Sequence, residues 1–589
     1  MRPLIITVAA TGTPTAQRVA ALCGGDFRAC GSGGEDARVL LETAFRQGRP
    51  IVGVCAAGIL IRLLAPLLGD KASEPPVLAV SVDGKSVVPL LGGHHGANRL
   101  ARKLAEELGG VAALTTASDS RFSRGLDEPP DGWVLENPGD AKRVMAAVLG
   151  GAEIALDGDM PWLAEAGYPL AANGAIRIAA GAVAGLEGDL VYRPSALVAG
   201  VGCSRGAAAD EVIGLVEASL SEAGLSPLSL AVLATVEIKA DEPGLHAAAA
   251  HFGVPLRLFS VAELAAEGDR LPNPSTAVEA EIGIPGVAEA AALKAGELVV
   301  TKRKSANATC AIGCAQTPVD AEEFGRAPGV LHVVGIGPGD IAGRTAAASH
   351  ALVRSSDWVG YGLYLDLIGD LRMAQQEHRF GLGDEEARVR HALELAGSGK
   401  TVALVCSGDA QIYAMASLVF ELLAAQGERA VSDAARRIIV HSHPGVSALQ
   451  AASARAGALI GHDFCAISLS DLLTPRETIL ARLEAAAAGD FVVALYNPRS
   501  GRRTELIETA KAILLARRPA DTPVLVGRSL GRPEETTDIV RLADFDPSRI
   551  DMMTVVLIGS SASRAFRRGD GRLVAYTPRG YARKAEVAE

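Results

Sequence analysis

The sequence predicts a multidomain α/β protein. Its 589 residues exceed the size of one ordinary domain and correspond to roughly four domains of about 150 residues each. Apolar residues make up 49% of the chain and charged residues 21%, so each domain can bury a core. Short β-rich runs alternate with helical segments along the chain, which is typical of parallel α/β units.

This alternation is visible from the start of the chain. The β-rich runs of the first part predict strands at residues 4–8, 51–55, 77–82 and 113–116. The apolar stretch of residues 51–68 contains Gly53, Gly58, Arg62 and Pro66, which favours a strand running into a helix over a membrane span.

Changes in composition predict the domain boundaries. We expect an α/β domain at 1–131, a small Gly- and Ala-rich intervening domain at 132–194, a second α/β domain at 195–314, an aperiodic linker at 315–329, a large domain at 330–564 and a polar tail at 565–589.

The large domain opens with an apolar run and a glycine-rich turn, residues 331–340 (LHVVGIGPGD). A dinucleotide fingerprint would need a glycine where Asp340 stands, and a P-loop would need a Lys-Ser/Thr pair. Pro338 fixes φ, and Gly337 and Gly339 have no side chains, so the backbone can approach a ligand closely. For this segment alone, an ordinary strand-to-helix turn is the alternative.

Further motifs follow this turn in order. They are VALVCSGD at 402–409, VHSHPGVSA at 440–448, ISLSD at 467–471, VVALYNP at 492–498, VLVGR at 524–528 and MTVVLIG at 553–559. With them, residues 330–564 closely resemble the two-lobed tetrapyrrole (corrin/porphyrin) methyltransferases of cobalamin biosynthesis. The resemblance is to those that act on C-17 of precorrin-3B, and it rests mainly on Tyr361, Tyr364, residues 496–500 and residues 527–528.

The resemblance implies transfer of a methyl group from S-adenosylmethionine (SAM) to C-17, coupled to ring contraction with extrusion of carbon 20. The residues implied to contact SAM are Pro338, Ser407, Gly408, Asp409, Ile412, Tyr413, Ser447, Ala448, Asn497, Ser529 and Thr554. Ring contraction needs proton transfer at the oxygen on carbon 20, for which Asp340, His443 and Asp471 are the candidate groups.

In the first half, polar residues gather in glycine-rich loops at predicted strand ends, where open α/β sheets bind ligands. These loops are residues 56–62 (AAGILIR), 66–71 (PLLGDK), 90–98 (LLGGHHGAN) and 115–119 (TTASD). His94 and His95 stand between glycines, and a neutral imidazole can act as a general base near pH 7. The alternative is that they only cap the helix that follows.

Residues 51–119 and 197–314 resemble the N- and C-terminal domains of the cobalamin-biosynthesis protein CbiG, cobalt-precorrin-5A hydrolase. The resemblance implies opening of a corrinoid lactone with loss of acetaldehyde. His94 or His95 would then act as the base, and Lys71, Lys239 or a backbone amide as the oxyanion stabiliser. The candidate anchors for corrinoid carboxylates are Arg62, Lys71, Arg205 and Lys302, with solvated surface charge as the alternative for each.

Charge and cysteine usage narrow the class of protein. A net charge of -11 disfavours a general nucleic-acid binder, which needs a basic surface. The eight cysteines lack the paired spacing of a metal site, so we expect no bound metal and a reducing cytoplasm. SAM is the one expected cofactor and a corrinoid the expected partner, with no membrane partner; the resemblance suggests a homodimer and contact with other cobalamin-pathway enzymes.

Three functions stay open. The first is a bifunctional biosynthetic enzyme, and the second is a methyltransferase whose CbiG-like half binds a corrinoid without catalysis. The third is a methyltransferase of this fold that acts on RNA or protein, which the acidic charge disfavours. Either metal-free precorrin-3B or its cobalt form fits the sequence.

Overall fold

The computed structural model describes residues 3–30, 36–69, 74–114, 121–372, 375–500 and 504–581, without the side chain of His94. The described residues form two compact units. The first comprises Met1–Glu237 and Glu242–Arg326, and the second Ile238–Asp241 and Ala327–Glu589. Each unit contains three sheets.

The first sheet of the first unit has the strand order β2-β1-β3-β4-β5-β6 and is parallel except between β4 and β5. Its strands are β1 Leu4–Thr7, β2 Asp26–Ala29, β3 Ile51–Val54, β4 Val77–Val80, β5 Ser86–Leu91 and β6 Val111–Ala112. Its helices are Thr13–Cys23, Ala37–Arg46, Ala57–Leu64 and Ala97–Leu108.

Three of the four strands predicted here are present, and the strand predicted at 113–116 is wrong for its described part. The strand β6 ends at Ala112, one residue before the predicted start, and residues 115–116 lie outside the described residues. Residues 51–68 form β3 and a helix, as predicted. Within the described residues, no helix combines the length and the apolar run that crossing a bilayer requires.

The second sheet has the order β7-β10-β9-β8 and a separate core that includes Trp162, Tyr168 and Tyr192. Its strands are β7 Trp133–Leu135, β8 Ile154–Asp157, β9 Ile176–Ala180 and β10 Leu190–Pro194. Its helices are Ala141–Leu149 and Pro161–Glu165.

The third sheet has the order β13-β12-β11-β15-β14, in which three parallel strands continue into an antiparallel hairpin. Its strands are β11 Leu197–Cys203, β12 Leu230–Val236, β13 Leu256–Phe259, β14 Glu297–Lys304 and β15 Ala308–Cys314. Its helices are Ala209–Glu222, Pro243–Phe252, Val261–Ala265, Thr276–Ile282 and Ala288–Leu293.

The segment predicted as a linker is bonded to the first unit over most of its length. The backbone N–H groups of Ala315 and Val319 donate to the carbonyls of Ala196 and Ser195, and Arg326 forms a β-bridge with Leu258. Residues 315–326 therefore pack on the first unit although their sequence lacks the periodicity of a helix or strand.

The second unit begins with a parallel sheet of order β18-β17-β19-β16-β20. Its strands are β16 Val330–Gly335, β17 Asp357–Tyr361, β18 Gln376–Phe380, β19 Thr401–Cys406 and β20 Ile439–His443. Its helices are Ala346–Arg354, Gly362–Asp366, Glu385–Gly397, Ala416–Ala424 and Asp433–Arg436. The sheet is buried on both faces, because Leu331 and Val334 of one strand belong to different core clusters.

The second lobe of this unit is a mixed sheet of order β22-β23-β26-β24-β25. Its strands are β22 Phe464–Ser468, β23 Val492–Tyr496, β24 Pro523–Arg528, β25 Thr536–Arg541 and β26 Thr554–Ile558. Its helices are Ala448–Ala456, Arg476–Ala488 and Glu505–Leu515.

The predicted polar tail is structured in its described part. The strands β27 Arg564–Arg567 and β28 Leu573–Tyr576 pair with each other, and β28 also pairs with β21 Gly457–Ala458. Ala575 is buried, and the hydroxyl of Thr577 donates to the carbonyl of Leu459. Apolar residues at 566, 574 and 576 among the charges gave this hairpin a weak signal in the sequence.

One buried arginine ties the second lobe together. The guanidinium of Arg518 donates to the carbonyls of Gly559 at 2.5 Å and Phe491 at 2.6 Å, with longer contacts to Ile558 and Ala486. It thus bonds to the end of β26, the end of the helix Arg476–Ala488 and the residue before β23. Buried carbonyls would lose their donors if this side chain were removed.

We therefore expect Arg518→Met to lower the free energy of unfolding of this lobe by about 3 kcal/mol. The measurement is amide hydrogen exchange over residues 464–558, which reports the local stability directly. The matched control is Arg517→Met at the exposed neighbouring position, where a change under about 0.5 kcal/mol is expected. Equal protection from hydrogen exchange in the two variants would show that Arg518 does not stabilise this lobe.

Candidate functional site

A cavity of about 480 Å³ in the second unit is the candidate functional site, a volume typical of small-molecule sites. Its lining comes from both large sheets of this unit. Pro338, Ser407 and Ser447 follow strands of the parallel sheet, and Asn497 and Ser529 follow strands of the mixed sheet.

The structure brings together all eleven residues that the sequence predicted for the cofactor. Those lining the cavity are Pro338, Ser407, Gly408, Asp409, Ile412, Tyr413, Ser447, Ala448, Asn497, Ser529 and Thr554. They come from segments up to about two hundred residues apart. Their convergence is a property of the fold, whereas their binding of SAM stays a prediction.

Glycines allow the strand ends of the parallel sheet to meet at the cavity. A Cβ atom on Gly335 would lie 2.6 Å from the carbonyl oxygen of Gly408 and 2.8 Å from the amide nitrogen of Gly445. Gly337 and Gly408 exchange backbone hydrogen bonds of 3.1 and 2.7 Å. Side chains at Gly335 or Gly445 would force these backbones apart.

Three lining residues hold strained backbone conformations. Tyr413, Asn497 and Ser529 have φ of 51°, 48° and 50°, in the left-handed region that side chains other than glycine rarely adopt. Such strain persists only where the surroundings enforce it, and it concentrates at functional sites. The only other described non-glycine residue with positive φ is Asp490.

Hydrogen bonds fix the polar lining groups. The hydroxyl of Tyr496 bonds to the hydroxyl of Ser447 and accepts from the N–H of Leu449 at 3.1 Å, which ties β23 to the start of the helix Ala448–Ala456. The carboxylate of Asp409 accepts from the N–H groups of Gln411 at 2.8 Å and Gly445 at 3.1 Å. Burial raises the pKa of Tyr496, so its phenol is protonated at neutral pH.

The structure does not place the predicted acid-base groups in the cavity lining. Asp340 forms an ion pair with Arg455 at 3.1 Å and accepts from the N–H of Gly343. Asp471 is exposed between two lining residues, Ser470 and Leu472. A polar residue near a strand end was too weak a signal to fix where its side chain lies.

His443 belongs to a histidine cluster outside the cavity lining. Its Nε2 lies 3.0 Å from Nδ1 of His332, whose ring stacks on that of His441. Burial lowers the pKa of His443, and His441 and His350 add to this effect. Burial likewise lowers the pKa of His332, to about 4. Both rings are therefore neutral at pH 7.

The cavity lining includes charged and apolar residues that the sequence did not predict for the site. Arg388 and Glu385 lie in the first turn of the helix Glu385–Gly397, and Arg532 lies in the turn after β24. The lining also contains exposed apolar side chains: Leu382 at 70%, Leu472 at 79%, Met552 at 50% and Met553 at 40% exposure. Nothing in the helical pattern around Arg388 distinguishes it from a surface arginine.

In the first unit, His95 lies on a short 3-10 turn, Gly93–His95, between Gly92 and Gly96 with φ of 69° and 89°. It is exposed and lines a shallow cavity of about 370 Å³ whose other side chains include Arg99, Asp127 and Glu128. Gly96 occupies the N-cap position of the helix Ala97–Leu108, so neither His94 nor His95 stands at that position. The side chain of His94 lies outside the described residues.

The described corrinoid anchors lie on different elements and have different local partners. Arg62 is exposed and donates to the carbonyl of Gly58 beside the first sheet. Arg205 pairs with the buried Glu242 at 3.0 Å. Lys302 donates to the carbonyl of Asn273, and burial lowers the pKa of its ammonium group. Lys239 is partly buried in the 3-10 segment Glu237–Lys239. Lys71 lies outside the described residues.

Three family models match separate parts of the chain. Residues 39–119 match the family model "Cobalamin synthesis G N-terminal", and residues 197–313 match "Cobalamin synthesis G C-terminus". Residues 330–546 match "Tetrapyrrole (Corrin/Porphyrin) Methylases". These matches confirm the two resemblances seen in the sequence.

Curated relatives match a little under half of the chain. The cobalt-factor III methyltransferase of Priestia megaterium is 42% identical over 44% of this chain, which spans 46% of that protein. The chain thus covers about half the length of this relative. The precorrin-3B C(17)-methyltransferase of a Sinorhizobium species is 41% identical over 43% of this chain and 98% of its own length.

Among solved structures, the methyltransferase CobJ is 40% identical and matches 42% of this chain and 100% of its own, with a TM-score of 0.39. Because a relative that is 41% identical is matched over nearly its whole length, this chain belongs to the tetrapyrrole (corrin/porphyrin) methylase family.

Proposed function

We propose that the second unit transfers the methyl group of SAM to C-17 of precorrin-3B, or of its cobalt form, with contraction of the macrocycle. The observation that carries this proposal is the convergence of the eleven predicted cofactor residues on one cavity. The names of the matched relatives, which act on precorrin-3B or cobalt-factor III, support the substrate class.

The cavity suits SAM on physical grounds. Gly408 has φ of 67°, and a Cβ there would meet no atom closer than 3.9 Å, so this strand end leaves room beside its exposed backbone. The hydroxyl of Ser407 and the side-chain oxygens of Asn497 and Thr554 can accept hydrogen bonds from a nucleoside and an amino acid moiety. When bound, SAM supplies a methyl group already activated by its sulfonium. The lining residues then have to position the reactants and exclude water.

A flat macrocycle would rest on the apolar rim. Leu382, Leu472 and Met552 expose large apolar side chains around the cavity. Exposed apolar surface that rims a polar cavity is typical of a ligand-binding face. For the proton transfer of ring contraction we favour the carboxyl groups that line the cavity, Glu385 and Asp409, over Asp340, His443 and Asp471, since a general acid must reach its substrate.

For the first unit we propose lactone opening of a cobalt-precorrin, with His95 or His94 as base. What supports it is the match to both CbiG domains and the placement of His95 on a glycine-flanked turn beside Arg99 and Glu128. The second candidate is a non-catalytic corrinoid-binding module, which the same two family matches allow.

We place these reactions in a reducing cytoplasm, which suits the eight free thiols of the chain. On the resemblance alone we propose a homodimer. The decisive experiment is incubation of the protein with SAM and either metal-free precorrin-3B or its cobalt counterpart. The mass of the product shows whether one methyl group was gained and which form is accepted.

The first functional prediction concerns the cofactor turn. Gly408→Val should weaken SAM binding at least tenfold, because the side chain enters the cavity and strains a left-handed backbone position. The first unit should keep its stability. Titration calorimetry measures the affinity.

The matched control is Gly427→Val, which places the same side chain at a φ of 62° where no atom lies within 4 Å and which is outside the cavity lining. It should share the backbone strain and retain SAM affinity. Unchanged affinity in Gly408→Val would count against this site.

The second functional prediction separates enzyme from carrier in the first unit. Replacing His94 and His95 together with alanine should abolish acetaldehyde release from a lactone-bearing cobalt-precorrin. Methyl transfer should continue, because it uses residues of the other unit. Acetaldehyde is measured by an enzyme-coupled assay and methylation by product mass.

Two other results would change the proposal. Wild-type protein that binds the corrinoid and releases no acetaldehyde would favour the carrier function. Release at the wild-type rate by the double variant would show that the histidines are structural.

A further inference from the structure

Arg388 is a buried cation without a carboxylate partner. It is 3% exposed, lines the cavity and donates from Nη2 to the carbonyl of Gly381 at 2.7 Å. Its Nε is buried and has no hydrogen-bond acceptor, and among the residues that the structure describes no carboxylate lies within 4 Å. Burying a charge in this way is unfavourable unless something compensates for it.

Comparison with two other buried arginines, Arg257 and Arg518, shows how the surroundings of Arg388 differ. Arg257 and Arg518 also have an unbonded Nε. However, Arg257 pairs with Glu322 at 3.1 Å, and Nε of Arg518 faces Asp490 at 3.9 Å. Neither residue lines the cavity of the second unit. Of the three, only Arg388 lines this cavity and has no carboxylate within 4 Å among the described residues.

A second unpaired cation lines the same cavity. The guanidinium of Arg532 contacts the sulfur of Met553 at 3.8 Å, and it too has no ion pair within the described part of the chain. By contrast, Arg455 pairs with Glu535 at 2.7 Å and Arg528 with Asp551 at 2.7 Å.

The two guanidinium groups act on one phenol. Burial raises the pKa of Tyr364, and the positive charges of Arg532 and Arg388 oppose that rise. Neither lining carboxylate pairs with them: Asp409 accepts from two backbone N–H groups, and Glu385 accepts from the N–H of Gly383. Both guanidinium groups therefore lie near the phenol of Tyr364 without a carboxylate partner among the described residues.

We propose that Arg388 and Arg532 form a carboxylate-binding subsite in the cavity. The inference rests on the proposed function, which supplies two sources of the carboxylate: the acidic side chains of a tetrapyrrole, and the methionyl group of SAM. Guanidinium groups bind carboxylates through charge-assisted hydrogen bonds, the strongest kind available to such a ligand.

The test uses the full chain with three probes. Uroporphyrin III presents tetrapyrrole carboxylates, S-adenosylhomocysteine presents the amino acid carboxylate, and methylthioadenosine has the same nucleoside without that carboxylate. The variants are Arg388→Met and Arg532→Met, which keep an aliphatic stem and remove the charge. The control is Arg541→Met, whose partner is Asp544 at 2.6 Å and which is outside the cavity lining.

We expect Arg388→Met and Arg532→Met each to weaken uroporphyrin III binding roughly tenfold or more, with both nucleosides unaffected. Weaker binding of S-adenosylhomocysteine with unchanged methylthioadenosine would support the subsite and identify the cofactor as its ligand. Thermal melting checks that each variant is folded. If Arg388→Met does not fold, the partly exposed Arg532→Met decides alone.

Unchanged binding of both carboxylate ligands in the folded variants would overturn the subsite, as would an equal loss in Arg541→Met. In either case wild-type binding of S-adenosylhomocysteine would leave the proposed function standing. Wild-type protein that binds neither uroporphyrin III nor S-adenosylhomocysteine would overturn both.

Discussion

The site of the second unit depends on the close approach of three glycine backbones. Gly335, Gly408 and Gly445 follow or end three adjacent parallel strands, and a side chain on the first or last would overlap a neighbour's backbone. This contact brings the loops after β16, β19 and β20 side by side. Ligands of open α/β sheets bind at this edge. The side chains can therefore act on a ligand only because the glycine backbones pack closely here.

The strained residues complete the lining from three different loops. Tyr413, Asn497 and Ser529 each adopt a left-handed conformation, and two of them follow strands of the mixed sheet. Hydrogen bonds stabilise this arrangement: Tyr413 donates to the carbonyl of Ala466, and the amide of Asn497 donates to the hydroxyl of Ser468. These two hydrogen bonds hold Tyr413 and Asn497 in place without a ligand, which favours positioning as the means of catalysis.

The sequence was informative about features that depend on the backbone, such as strand ends. It was uninformative about features that depend on tertiary packing, such as which side chains are buried or paired. The family resemblance implied the residues of the cofactor lining, and most of them follow strand ends that meet at the cavity. The strands β2 and β5 were missed: β2 is the short, charged segment DFRA, and β5 contains Pro89. Arg388 and the partly exposed Arg390 look alike in sequence, and only tertiary packing buries Arg388. Asp340 was predicted as an acid-base group, but its pairing with Arg455 depends on a residue 115 positions away.

Buried cations show how the same chemistry serves structure or ligand. Arg518 is surrounded by carbonyls at the end of a sheet, so its hydrogen bonds hold that lobe and leave little for a ligand. Arg388, which lines the cavity, donates one hydrogen bond to the carbonyl of Gly381, and its Nε has no acceptor. A protein that buries a charge without a partner gains stability when a ligand supplies one. The unpaired arginines therefore favour an anionic ligand in a cavity whose shape the glycines have already set.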